Sequence, residues 1–230
     1  MTESVHRPYH HGDLRRVVIE TAAAMLSEEK GWQFTLREVA RRAGVSHAAP
    51  YKHFPDKAAL LAELAMRGFE QLEKELRAAI TPAPRSVRKE FLAVAGAYID
   101  FGQNNPALYR LMFSADLGNP SAVHLSERAM SAIGVLYDLI ARGQRMQVFK
   151  NKPLQGQAAG SWALVHGLTM LSIDGLLLSE KVGGNARQAA LTTLLEGLEI
   201  AVCRDVSALA DEAPARDATG PRSRRRRVEP

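Results

Sequence analysis

Ser161, His166 and Asp174 carry the side-chain types of a hydrolytic triad within a short stretch of the chain. Helical spacing puts His166 on the same helix as Ser161, no strand pattern precedes the serine, and no G-x-S-x-G turn surrounds it. The nucleophile therefore has no elbow from which to attack. A packed helix is expected instead, with Trp162 and His166 one turn apart as a buried pair and His166 hydrogen-bonded. Five of the seven histidines, His6, His10, His11, His47 and His53, precede residue 57. Tandem histidines in an N-terminal arm lack the further fixed ligands that a metal ion requires. The single Cys203 can form neither an intrachain disulfide nor a cysteine-based zinc site, and it reads as a small buried apolar residue. No catalytic residue, metal or cofactor is expected.

The elements that position these residues read as helices throughout. With 230 residues, 46% of them hydrophobic, the chain can bury a substantial core. Neither Met1 to Gly12 nor any later stretch approaches the roughly 20 apolar residues needed to span a bilayer, so no membrane association and a cytoplasmic location are expected. Leu14, Val17, Val18, Thr21, Ala22, Met25 and Leu26 recur at helical spacing, and Lys30-Gly31 is a stop. Thr35 and Glu38 have the spacing of a capping box that opens a short helix, which Gly44 ends by turning left-handed. Ser46 is a good cap for a third helix, His47 to Phe54, with Pro50 in or just past its first turn. Asp56 caps a long helix reaching Ile80, and Thr81-Pro82-Ala83-Pro84 breaks it. Five more helices follow at about 86–103, 106–115, 121–147, 155–179 and 185–209, making an all-α chain of about nine helices.

Charge is spread unevenly. Residues 1–57 carry nine Lys or Arg against seven acids, residues 58–213 fifteen against sixteen, and the last seventeen six against two. That basic tail has no aromatic residue and too little apolar surface to fold, so 213–230 reads as disordered. Its charge would bind any polyanion, which makes the basic balance weak evidence for DNA. Stronger evidence is the pair of short helices joined at Gly44, with small Ala40 on the first and Val45 in the turn. Such a pair crosses closely and projects its second helix, as a DNA-reading helix-turn-helix does, although a generic helical pair has the same signals.

The run from Phe34 through Thr-Leu-Arg-Glu-Val-Ala-Arg-Arg-Ala-Gly-Val-Ser-His-Ala-Ala-Pro-Tyr-Lys-His-Phe-Pro-Asp to Lys57 resembles the DNA-binding segment of tetracycline-repressor (TetR/AcrR-type) regulators. Arg7-Pro-Tyr-His-His-Gly-Asp-Leu-Arg15 is similar to the leader of one branch of that family. Trp162-Ala-Leu-Val-His-Gly167 with Asp174-Gly175 resembles the Trp-His-Gly type of C-terminal domain. Pro50, where many members carry leucine, and Lys150-Asn-Lys152 depart from the pattern. The resemblance implies that Thr35 and Arg37 meet phosphate or a guanine edge. It implies that Ser46, His47, Ala48 and Ala49 meet base edges, and that Tyr51, Lys52, His53 and Lys57 meet phosphates.

The organisation implied is a helix-turn-helix domain with its arm over 1–57, a ligand-binding and dimerisation domain over 58–212, and the basic tail. Phe91, Tyr98, Phe101, Tyr109, Met112 and Phe113 cluster in a short stretch; most are core residues, and the resemblance implies a small-molecule pocket among them, with Trp162 and His166 as further candidates. The small stripe Gly160, Ala163 and Gly167, with Gly156, and the face Leu191, Leu195, Leu198 and Val202 need covering. Either the chain covers them or, as the resemblance implies, they pair with a second subunit as a four-helix bundle. The expected partners are double-stranded DNA carrying an inverted repeat, an unidentified small-molecule effector and a second copy of the chain. The expected function is a ligand-released repressor, associated with the nucleoid when DNA-bound. The alternative is an architectural DNA-binding protein whose C-terminal domain only dimerises.

Overall fold

A computed structural model of the chain describes residues 11–28, 31–80 and 86–200, with side chains from Leu14 onward. Among these residues there are ten α-helices and two short 3₁₀ turns, with no strand beyond one isolated antiparallel bridge between Phe149 and Glu199. Helix α1 (His11–Glu28) buries Leu14, Val18, Ile19, Ala22, Met25 and Leu26 at the spacing of one helical face. Helix α2 (Leu36–Arg42) begins at the capping box: Glu38 N–H donates to Thr35 Oγ1 at 3.2 Å, and Thr35 N–H donates to Glu38 Oε2 at 2.6 Å. It ends at Gly44, whose φ of +68° lets Val45 N–H reach Ala40 O at 3.0 Å and Gly44 N–H reach Arg41 O at 3.2 Å. Those two bonds satisfy the last carbonyls of α2 and set the corner.

The next element differs from expectation. In place of a third α-helix over His47 to Phe54, the chain makes a turn at 47–49 and a 3₁₀ turn at Pro50–Lys52. Pro50 has no N–H to give Ser46 O, so that carbonyl takes the Ala49 N–H instead, at 2.9 Å. Lys52 N–H then bonds Ala49 O at 3.2 Å, which keeps the segment wound tightly until His53. No side chain caps the 3₁₀ turn, so Ser46 does not have its expected role as a helix cap.

Helix α3 (Lys57–Ala79), capped by Asp56 on Ala59 N–H at 2.8 Å, is the axis of the molecule. It packs on α1 at its start and along its length on α4 (Val87–Asn104), α5 (Pro106–Met112), α6 (Pro120–His124) and α7 (Glu127–Arg145). Its buried stripe includes Leu60, Leu61, Leu64, Phe69, Leu72 and Leu76; a buried side chain of this size contributes about 1.5–3 kcal/mol relative to exposure. The expected helix over 121–147 is two helices, because Ser126 interrupts it: its hydroxyl donates to Val123 O at 2.6 Å and accepts Ala129 N–H at 3.3 Å.

Helix α8 (Leu154–Ile173) lies against α4, where a Cβ on Gly102 would come within 2.2 Å of the Thr169 methyl. The expected helix over 155–179 stops early, at Asp174, because Gly175 adopts φ +66° and Leu176 N–H bonds Leu171 O at 2.8 Å. A single turn, α9 (Ser179–Val182), precedes α10 (Ala186–Leu198). The expected helix over 185–209 ends at Leu198, whose carbonyl accepts Lys150 N–H at 2.7 Å while Ile200 N–H reaches Val148 O at 3.2 Å. Lys150, one of the departures noted above, places Nζ 2.9 Å from Gly197 O and so puts a cation on the negative end of α10. Val202, Cys203 and the basic tail lie outside the described residues.

Candidate nucleic-acid interface and ligand cavity

At the helix-turn-helix, Phe34, Leu36, Val39, Ala40 and Phe54 form a small core, and the polar side chains stand around it. Arg37, Ser46, His47, Ala48 and Lys52 are exposed, and Tyr51 is 49% exposed. Thr35 is exposed too, but its hydroxyl donates to Glu38 Oε2 at 2.8 Å, and these Thr35 bonds hold the Glu38 carboxyl below its ordinary pKa. Lys57 begins α3 and holds its ammonium 5.8 Å from the Phe34 ring centre. The Asp56 carboxylate caps that same helix start, so the Lys57 cation itself is what this corner offers an anion. Two residues of the expected DNA-contacting set face inward. Ala49 is 6% exposed and packs in the core, and His53 is half-buried with Nε2 enclosed and unpaired. Pro50 causes this by tightening the segment and rotating Ala49 away from the outer face.

Helices α3, α4, α7 and α8 surround a cavity of about 270 Å³. Of the residues proposed from sequence for a pocket, Phe91, Tyr98, Phe113 and Trp162 line this cavity, whereas Phe101, Tyr109, Met112 and His166 do not. Phe101, Tyr109 and Met112 are fully buried. Sequence reading missed the walls given by α3 (Phe69, Leu72, Leu76) and α7 (Ala129, Ala132, Ile133, Leu136), together with His124 and Ser161. Their signal was the width of the apolar stripe on α3 and α7, which exceeds one packing face.

A polar chain runs behind the cavity. Trp162 Nε1–H donates to the Tyr98 hydroxyl at 3.2 Å, Tyr109 OH stands 3.0 Å from it, and His166 Nδ1 lies 2.6 Å from Tyr109 OH. Burial pushes the Tyr98 hydroxyl up to about 12 and raises Tyr109 as well; it also lowers both His166 and His124 below the ordinary imidazole range, so both rings are neutral at pH 7. His166 is hydrogen-bonded as expected, but Trp162 is 38% exposed and so is not the buried partner anticipated. Asp174 pairs with Arg110 at the end of α8, away from Ser161 and His166, so the three triad-type residues are not brought together.

Two ties join the cavity to the helix-turn-helix. Glu63 on α3, a buried acid, is held by Arg15 of α1 at 2.9 Å, Arg67 at 3.3 Å and Arg128 of α7 at 3.4 Å. Burial raises its carboxyl pKa, but the three guanidinium groups outweigh that and leave it lowered overall. Trp32, just before α2, donates Nε1–H to Asp116 Oδ2 at 2.8 Å, close to cavity-lining Phe113.

The faces expected to pair two subunits divide in two. Leu191 and Leu195, each 3% exposed, and Leu198 are covered within the chain by α4 and α8, so they belong to its own core. Gly156, Gly160 and Ala163 are exposed on α8 with Gly167 half-buried, and a Cβ added at any of the three glycines would meet nothing within 4 Å.

Residues 19–64 match the family model of bacterial regulatory proteins of the tetR family, and residues 91–198 match that of the tetracyclin repressor-like C-terminal domain. The chain is 30% identical to a solved protein of unknown function from Rhodococcus sp. RHA1, covering 85% of this chain and all of that one, with a TM-score of 0.68. It is 26% identical over 165 residues to the HTH-type transcriptional activator FasR of Mycolicibacterium smegmatis, covering 70% of each chain. It is 29% identical over 149 residues to the nucleoid occlusion factor SlmA of a Marinomonas species, covering 62% of this chain and 69% of that one. With both of its halves matched and an exposed polar face on its helix-turn-helix, the chain belongs to the tetR family of bacterial regulatory proteins and is a transcriptional regulator rather than an enzyme.

Proposed function

We propose that the chain is a cytoplasmic homodimeric repressor that reads an inverted-repeat operator and is released when a small molecule enters the cavity. The observation that carries this reading is that α3 is one unbroken helix from Lys57, at the DNA-reading corner, to Leu76, in the cavity wall. A ligand that shifts α3 against α7 must disturb the Arg15–Glu63–Arg128 cluster, and with it α1, on which the helix-turn-helix packs. Ser46, His47 and Ala48 are the proposed base readers; Arg37, Tyr51, Lys52 and Lys57 are the proposed phosphate contacts. Ala49 and His53 are left out because they face inward.

For the second subunit, the proposed contact is the α8 stripe Gly156, Gly160, Ala163 and Gly167. Gly156, Gly160 and Gly167, which meet nothing among the described residues that requires a glycine, together with exposed Ala163 permit the close approach of another helix. The covered face of α10 supports this contact from beneath.

Selection of bound DNA from a random pool with the full chain tests the reading. An inverted repeat with half-sites about one helical turn or a multiple apart is expected. Adding the protein should lower in vitro transcription from a promoter overlapping that site, which separates this role from the activation named for FasR. Any effector that lowers operator affinity must bind more weakly, by the same factor, when operator is present. A random-pool selection that returns no preferred sequence would sink the proposal.

A further inference from the structure

Taking the cavity as the effector site, we propose that its ligand is a compact, uncharged and largely apolar compound that presents one hydrogen-bonding oxygen to Ser161. Size is the first constraint. An apolar cavity of about 150 Å³ holds one benzene, and this one measures about 270 Å³. It therefore suits a body of roughly ten to twelve non-hydrogen atoms, about twice the benzene case.

Charge is the second constraint. Among the described residues no Lys, Arg, Asp or Glu lines the cavity, and the two titratable side chains there, Tyr98 and His124, are both held neutral by burial. A carboxylate entering here would lose its water and meet no cation, and an ammonium group would meet no carboxylate.

The hydrogen-bond ledger supplies the third constraint. Tyr98, Tyr109, Trp162 and His166 bond one another, and His124 engages the Met112 backbone. Ser161 differs: it lines the cavity, is 1% exposed, and its Oγ has no partner among the described residues. Other hydroxyls on α8 solve the same problem by bonding a carbonyl one turn back, Thr169 to Val165 O at 2.8 Å and Ser172 to Leu168 O at 2.7 Å. Buried hydroxyls are nearly always paired, so the exception on the cavity wall marks where a ligand atom completes the bond. Because a serine hydroxyl both donates and accepts, the ligand oxygen can be a hydroxyl or a carbonyl.

The test is equilibrium titration of the full chain with naphthalene, 2-naphthol, 2-naphthoate and 2-naphthylmethylammonium, which share a body of fitting size and differ in polar group. We expect 2-naphthol to bind about 3- to 10-fold tighter than naphthalene, the value of one neutral hydrogen bond. Both ions should bind more weakly than naphthalene. Ser161→Ala should erase the advantage of 2-naphthol and leave naphthalene affinity unchanged. Ala132→Phe, which fills the cavity, should remove binding of all four compounds while helical content is retained. The proposal is overturned if either ion binds best, if Ser161→Ala leaves the naphthol-to-naphthalene ratio intact, or if none of the four binds at millimolar concentration. If the expected ranking holds but 2-naphthol leaves operator affinity unchanged, the ligand class stands and the effector reading fails.

Discussion

The helix-turn-helix and the cavity handle polar groups in opposite ways. From Thr35 to Phe54 the backbone hydrogen bonds are local, three to five residues apart, and Arg37, His47, Tyr51 and Lys52 stand exposed on the outside. Around the cavity the polar atoms point inward and meet partners from distant segments, Tyr98 with Trp162 and Tyr109 with His166. A surface that must meet many DNA sequences in turn benefits from solvated donors on a rigid frame, because phosphates attract by charge and base edges select by geometry. The proposed small-molecule site would benefit from the reverse, with most polar atoms matched internally and Ser161 Oγ unmatched among the described residues. The two regions are joined at Glu63, the buried acid that faces guanidinium groups from α1, α3 and α7.

The largest expected effect tests which faces belong to the chain itself. Leu195→Asp should unfold the C-terminal helices, at a cost of about 3–5 kcal/mol for an unpaired buried charge, read by chemical denaturation. Ala163→Arg, on the exposed α8 stripe, should leave helical content intact, shift the species seen by sedimentation toward monomer, and remove the dependence of the denaturation midpoint on protein concentration. If the two variants behave alike, the division between core and subunit face is wrong.

At the DNA end, Gly44→Val should cost about 1–2 kcal/mol, since a β-branched residue is strained at φ +68°. It should also weaken operator binding, because the corner that aims Ser46 to Lys52 is lost. His47→Ala should relax preference at one or two symmetric base pairs by about 1–3 kcal/mol per half-site, scored by repeated DNA selection. Lys52→Ala should instead weaken all sequences together and reduce the salt slope by about one unit per contact. A change of preferred sequence with Lys52→Ala would reverse the assignment of readers and anchors.

The smallest effect concerns the junction and depends on pH. The Glu63 carboxyl has a lowered pKa in the folded chain, so its stabilisation is complete above its ordinary value of 4.5 and is lost as pH falls through the lower folded value. Glu63→Gln should therefore reduce stability at pH 7 and flatten that acid-side loss, as thermal unfolding between pH 3 and 7 would register. An unaltered pH profile would show that the cluster does not carry the tie.

Much of the DNA-reading end was readable because its determinants are close in sequence. Thr35, Glu38 and Gly44 need only their neighbours to make a box and a corner, and those appear as expected. The local rule failed where its consequence was underestimated: Pro50 was allowed inside an α-helix, yet one missing N–H was enough to wind the segment as a 3₁₀ turn and bury Ala49. Gly175 ends α8 by the same bonds that Gly44 uses to end α2, but with no second helix directly after it the stop passed unread.

For this protein, then, local sequence determined the all-helical character, the capping box and the corner, because each rests on bonds spanning at most five residues. Only tertiary structure decided that Leu191, Leu195 and Leu198 are core, that α3 and α7 wall the cavity, and that Ser161 is buried without a partner among the described residues. An apolar stripe states that a face must be covered but not by what. That choice is made by elements dozens of residues away, through packing no local pattern encodes.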